Sequence, residues 1–223
     1  MTTTDTIDPL LAEQLAYYRA LAPEYESLSI PGGGGNEVVA ALHAFEPAGN
    51  VLELACGPGM WTEILLRHAA SVTAVDGAPE MLARAKARVG QGRARFIHAD
   101  LFSWRPERRY DVVFFGFWLS HVPLDRFEAF WSFIDDCLEP DGRVFFTDDA
   151  FRPAEELIEG EASSTIQRRL GDGTPYRIVK VPYRPRELEA KLARLGWRFG
   201  VTQTSGAFYW AAGSRDGRRA ESP

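Results

Sequence analysis

The stretch Val51-Leu52-Glu53-Leu54-Ala55-Cys56-Gly57-Pro58-Gly59 carries a short apolar run into a glycine turn, after which Met60 to His68 reads as a helix. Gly57 and Gly59 put no Cβ between the backbone and a ligand, and the first N–H groups of the following helix lack partners of their own. The arrangement suits a nucleotide-like ligand, although a glycine pair after a strand also makes an ordinary structural turn. Asp76 favours the ligand. It closes Ala74-Val75-Asp76-Gly77 about 20 residues further on, where an acidic side chain accepts hydrogen bonds from ribose hydroxyls. An isolated aspartate there would instead cap the helix that starts at Pro79.

Other residues capable of chemistry gather further along. His121 follows a fourth apolar run and lies past its carboxyl end, where ligands collect in parallel sheets; it serves as a base or substrate contact, or it caps the helix after Pro123. His43 and His68 fall on helices and read as surface residues. Asp148 and Asp149 face the same edge, to orient a substrate, to hold a divalent cation or simply to cap the loop before Pro153; no metal is expected. Arg168-Arg169 and Tyr176-Arg177-Ile178-Val179-Lys180 concentrate cations in an acidic chain. They either grip a carboxylate or phosphate, with Arg169, Tyr176 and Arg177 as contacts, or form a solvated hairpin.

The elements that must position these groups alternate. Strand-like runs at Val51 to Leu54, Val72 to Val75, Ala94 to Ile97, Asp111 to Phe115 and Arg143 to Thr147 are separated by helical patterns at Met60 to His68, Pro79 to Val89 and Asp125 to Leu138. Parallel strands need such crossovers, so the expected fold is α/β, a Rossmann-like doubly wound, mostly parallel, seven-stranded sheet. A helix at Arg186 to Leu195 and an antiparallel hairpin, Trp197 to Thr204 with Ala207 to Ala212, complete it. Helices at Pro9 to Ala22 and Asn36 to Phe45 flank the glycine run Gly32 to Gly35, a hinge, and form an N-terminal helical lid. The expected division is one domain over 1–213, with 1–45 as the lid, 151–185 as a lid-like insertion and 214–223 as a disordered tail.

At 223 residues with 45% hydrophobic residues the chain suffices for a single buried core, and 31 acidic against 25 basic residues speak against a nucleic-acid partner. Cys56 and Cys137 stand too far apart in sequence for a C-x-x-C metal pattern, and no apolar run reaches membrane-spanning length. A cytoplasmic location and no membrane partner are the expectations; monomer and homodimer stay open.

Taken together these motifs resemble the class I methyltransferases that bind S-adenosylmethionine, over roughly Asn50 to Ala212. The resemblance matches the acidic residue and G-x-G turn of the first strand to Glu53 and Gly57-Pro58-Gly59, with Ala55 where the family usually has a first glycine, and the second-strand acid to Asp76-Gly77. It matches His98-Ala99-Asp100-Leu101-Phe102 to the segment whose aspartate faces the adenine amino group, and Phe115-Gly116-Phe117-Trp118 to the end of the fourth strand. It further implies that Trp61 and Thr62 lie at the methionine end of the donor, that Met81 also contacts the cofactor, and that Tyr18 and Tyr25 belong to an aromatic segment folding over it. Trp118 and Asp148 then stand on the substrate side, and His121 is the candidate catalytic base. The implied reaction moves a methyl group to an oxygen, or a nitrogen, of a small molecule such as those of secondary metabolism, releasing S-adenosylhomocysteine. A silent S-adenosylmethionine-binding module is the alternative. A nicotinamide-dependent oxidoreductase is the weaker one, since its G-x-G-x-x-G pattern meets Thr62 at the last glycine.

Overall fold

The computed structural model describes residues 8–25, 35–90, 92, 94–150, 156–162 and 164–217. Asp8 accepts a hydrogen bond from the Leu10 N–H at 3.0 Å and Pro9 supplies the first turn, which starts α1 (Pro9–Leu21) where the sequence places it. After α2 (Gly35–Phe45) the chain alternates through β1 (Asn50–Leu54), α3 (Met60–Leu65), β2 (Ser71–Asp76), α4 (Pro79–Val89), β3 (Ala94–His98), β4 (Tyr110–Gly116), α5 (Phe127–Cys137) and β5 (Leu138–Asp149). Then come β6 (Thr165–Arg169), β7 (Pro175–Val179), α6 (Pro185–Arg194), β8 (Trp197–Gln203) and β9 (Phe208–Arg215).

Seven strands form one sheet in the order β3-β2-β1-β4-β5-β9-β8, while β6 and β7 form a separate antiparallel pair. The first five pair in parallel, and β9 runs antiparallel to both β5 and β8. The chain order reverses between β1 and β4, which opens a crevice at the carboxyl ends of the strands.

Side chains alternate across the sheet, and this divides the core. On one face Phe115 stacks on Phe146 at 4.9 Å and both pack against Trp131 of α5; on the other Phe114 stacks on Phe145 at 6.1 Å, in the cluster that holds Trp61 and Leu65 of α3. A smaller cluster joins Tyr17 and Leu21 of α1 to Ile166 of β6 and Ile178 of β7, so the N-terminal helix and the hairpin pack as one cap.

Some boundaries differ from the sequence expectation. The Pro140-Asp141-Gly142 turn lies inside β5: Tyr110 pairs with Leu138 and Val112 with Arg143, so the intervening residues bulge from the ladder. The helix expected from Asp125 begins as a 3₁₀ turn, Leu124–Arg126, and becomes α-helical at Phe127. Ser214 and Arg215 belong to β9, where Ser214 pairs with Arg143, so the tail expected from Ser214 is ordered sheet at its start; 218–223 lie outside the described residues. The hinge glycines Gly32 to Gly34 also lie outside the described residues. His43 and His68 are less independent than two surface histidines, since Nδ1 of the first lies 2.7 Å from Nε2 of the second. No helix among the described residues is long and apolar enough to cross a membrane.

Candidate active site

A cavity of about 810 Å³ opens at the carboxyl ends of the parallel strands, beneath the cap. Its floor comes from the strand ends: Ala55 and Gly57 after β1, Asp76 and Gly77 at β2, Asp100 after β3 and Gly116 at β4. Leu11, Leu15 and Tyr18 of α1 form one wall, spaced so that they share a helix face, and Arg168 and Lys180 enter from the hairpin.

The glycine turn is built by backbone geometry and one carboxylate. Gly57 has φ +52°, and a Cβ there would meet nothing within 4 Å, so its missing side chain leaves open space at the cavity. Gly59, at φ +81°, faces away from it, and a Cβ would sit 3.0 Å from Ala85 of α4. Asp76 pins the turn: Oδ2 accepts the Gly57 N–H and Oδ1 the Ala78 N–H, both at 2.8 Å. Burial raises the Asp76 carboxyl above its ordinary range despite these two bonds. Ala55, at the position of the family's first glycine, and Phe117 in the cavity wall both hold φ above +50°, at 53° and 57°, a left-handed conformation that costs L side chains about 1 kcal/mol or more.

At the cap end, the buried His121 imidazole bridges two elements. Nδ1 lies 2.6 Å from the Val179 carbonyl and Nε2 lies 2.8 Å from the Tyr18 hydroxyl. Burial first, then the charges of Lys180 and Arg168, hold its pKa well below the usual histidine range, so the ring is neutral. Burial likewise raises the Tyr18 hydroxyl and pushes that of Tyr25 up to about 12. Lys180 is buried, with Nζ 2.5 Å from Asp149 Oδ2, 3.3 Å from Asp148 Oδ1 and 2.9 Å from Ser120 Oγ. Arg168 Nε lies 3.3 Å from Glu156.

Of the residues expected from the sequence, the cavity brings together Tyr18, Tyr25, Ala55, Gly57, Asp76, Gly77, Met81, Asp100, Leu101, Phe102, Gly116, Phe117, Trp118 and His121. The others stand elsewhere. Glu53, Trp61 and Thr62 lie behind the glycine turn, Trp61 backing Gly116 and the Thr62 hydroxyl donating to Glu53 Oε2 at 2.5 Å. Phe115 belongs to the core. Asp148 is fully buried, accepting from the Ser120 N–H at 2.8 Å and the Ser120 hydroxyl at 2.7 Å. Arg169 turns to Gln167 and the Gly173 carbonyl, Tyr176 packs on Tyr17, and Arg177 pairs with Glu13 and Glu161. In their stead Asp149, Arg168, Lys180, Arg126, Gln14 and Met60 line the cavity. Alternation explains the exchange on the hairpin. Arg168 and Lys180 share the face of the buried Ile166 and Ile178, whereas Arg169 and Arg177 are one residue out of phase.

Glu53 provides a test of burial under the turn. Its Oε1 has no hydrogen-bond partner among the described residues, and burial pushes the carboxyl from 4.5 to about 8. The folded chain therefore holds a proton that the unfolded chain releases, and the contribution of Glu53 to stability falls as pH rises from about 4.5 to about 8. Glu53→Gln, which cannot ionise, should shrink the stability difference between about pH 5 and about pH 8 measured by chemical denaturation. An unchanged difference would show that the carboxyl titrates normally.

Comparison with known proteins agrees with this geometry. A family described as "Methyltransferase domain" matches residues 51–142. Over 109 residues the chain is 37% identical to a trans-aconitate 2-methyltransferase of Streptomyces avermitilis, a match covering 45% of this chain and 39% of that relative, so it spans well under half the length of that curated protein. Among solved structures, DhpI in complex with SAH is 40% identical with a TM-score of 0.83, covering 96% of this chain and all of the other, and DhpI is also known in a complex with SAM and HEP. A Burkholderia thailandensis 1,6-didemethyltoxoflavin-N1-methyltransferase, with bound 1,6-didemethyltoxoflavin and S-adenosylhomocysteine, is 19% identical with a TM-score of 0.68, covering 97% of this chain and 94% of the other, and shares the fold. A Rossmann-like sheet with a glycine turn, a second-strand acid and a capped crevice defines a nucleotide-cofactor enzyme. The chain belongs to the class I S-adenosylmethionine-dependent methyltransferases, and S-adenosylmethionine is its cofactor.

Proposed function

We propose that the chain moves the methyl group of S-adenosylmethionine onto an anionic oxygen of a small organic acid, oxygen and not nitrogen being the acceptor atom. The observation that carries this reading is the group of side chains at the cap end of the cavity: the Arg168 guanidinium beside a neutral, hydrogen-bonded Tyr18–His121 pair. A neutral alcohol or an ammonium acceptor must lose a proton, which calls for a base titrating near neutrality. His121 has its pKa depressed and its Nε2 engaged, and Asp149 is ion-paired with Lys180, so neither fits that role. An oxyanion arrives already deprotonated and needs only a charge-matching donor and alignment, which Arg168 supplies, since Lys180 is committed to Asp148, Asp149 and Ser120.

The names of relatives support the same class, since trans-aconitate is a tricarboxylic acid. On the donor side, the open space at Gly57, the carboxylates Asp76 and Asp100 and the ring of Tyr25 fit an adenosyl group. When bound, the donor supplies an electrophilic methyl on a cationic sulfur. The aromatic face of Trp118 attracts that cation by about 0.5 to 2 kcal/mol. The test is a panel of di- and tricarboxylic acids and phosphate monoesters, each with its amine and neutral alcohol analogue, followed by mass spectrometry of the methylated product. Carboxylic acids should be converted to monomethyl esters, with turnover nearly flat from about pH 6 to about pH 9, and phosphate monoesters to methyl diesters. Methylation of the amines or alcohols with inert acids would overturn the proposal.

A further inference from the structure

We propose that Tyr18 and His121 act as one relay that leaves only lone pairs of the Tyr18 oxygen facing the cavity, making Tyr18 a charge-selective contact for the cationic sulfur of the donor and His121 the residue that positions it.

The direction of the relay follows from the end that cannot change. A backbone carbonyl accepts and never donates, so the Val179 oxygen, 2.6 Å from Nδ1, fixes the imidazole proton on Nδ1. A neutral ring then has a bare Nε2, and the hydroxyl 2.8 Å away must donate to it. With its single proton turned toward His121, the Tyr18 oxygen offers the rest of the cavity acceptor capacity alone. An unconstrained tyrosine hydroxyl rotates and presents proton or lone pair as the ligand requires.

The frame that holds the relay is equally specific. The Val179 N–H donates to Gln14 Oε1 at 3.0 Å, Gln14 Nε2 reaches the His121 carbonyl at 3.4 Å, and the Val181 N–H donates to the Ser120 carbonyl at 2.7 Å. Helix α1, strand β7 and the turn after β4 are thereby locked together around the two rings, which meet edge to face at 5.4 Å. Arg168 lines the same cavity and draws anions, whereas a lone-pair surface repels anions and attracts positive charge. The relay therefore sorts the two ligands by charge.

This inference rests on the cofactor and not on the acid acceptor, so the two fail separately. S-adenosylmethionine is a sulfonium cation and S-adenosylhomocysteine a neutral thioether of nearly the same shape. Calorimetric titration of both ligands is the measurement. Tyr18→Phe should weaken S-adenosylmethionine roughly tenfold, the scale of one hydrogen-bonding group, and leave S-adenosylhomocysteine within about twofold. His121→Leu, which frees the hydroxyl to rotate, should do the same, and the double variant should be no worse than either single one. His121→Gln, which restores an acceptor near the Nε2 position, should recover most of the loss. Nitrogen-15 NMR of the parent should report a neutral ring protonated on Nδ1. Equal loss of both ligands in Tyr18→Phe, additive losses in the double variant, or a ring protonated on Nε2 would each overturn the relay; Tyr18→Phe removes one buried oxygen and decides the matter even if a His121 variant misfolds.

Discussion

Asp76→Ala is expected to weaken S-adenosylmethionine binding by about a hundredfold or more, because it removes two backbone bonds to a charged group, each worth about 1.5–3 kcal/mol. The carboxylate holds the Gly57 and Ala78 N–H groups at 2.8 Å, so it fixes the shape of the turn at the cavity floor. Losing it also strips the cavity of an acceptor beside Tyr25. Asp76→Asn offers little rescue, since an amide NH₂ set against a backbone N–H is repulsive on one side. Calorimetry reads the affinity, and a melting curve separates it from unfolding. Binding within about threefold of the parent, in a folded variant, would remove Asp76 from the cofactor site.

The largest effect on stability should come from Lys180→Met. Asp148 is completely buried and Lys180 lies within 3.3 Å of it, so the change strands a charge in the interior. Breaking a buried ion pair from one side costs about 3–5 kcal/mol, which in a chain of this size corresponds to a fall of roughly 10 °C in melting temperature. Ser120 still donates two bonds to Asp148, which places the expectation at the lower end. Adding Asp148→Asn should restore part of the loss, because the stranded charge is then gone. A single-variant loss below about 1 kcal/mol would mean that solvent reaches Asp148.

The sheet was legible because β1, β2 and β4 are apolar runs each followed by a helical pattern, and because Gly57, Asp76 and Asp100 fall at successive strand ends. Faces were harder to read. Arg168 and Arg169 are the same residue type one position apart, and only pairing with α1 decides which turns inward. Ile166 and Ile178, both fully buried, carry the missing signal: residues two away from them share their face, which turns Arg168, Lys180 and Tyr176 toward α1, where Tyr176 packs on Tyr17 and Arg168 and Lys180 reach the cavity. The same parity separates Asp149 at the cavity from Asp148 beneath it. On α1 the stripe Leu11, Leu15 and Tyr18 has the spacing of core packing, and the sequence does not say that the surface it faces is a cavity wall. Glu53, Trp61, Thr62 and Phe115 lie close in sequence to cavity residues yet point behind them, since neighbours along a strand or helix diverge in space.

Residues 51–142, which carry the recognised family match, hold Ala55, Gly57, Asp76, Asp100 and His121, whereas Tyr18, Arg168 and Lys180 come from segments outside it. The strand-end groups of the cavity floor and Arg168 of the hairpin are thus encoded in separate stretches of chain, with Tyr18 and Tyr25 of the cap also outside the family match. Because the Val179 carbonyl and Ile178 of the hairpin also hold His121 and helix α1, a change of hairpin sequence reaches both ends of the cavity through the cap.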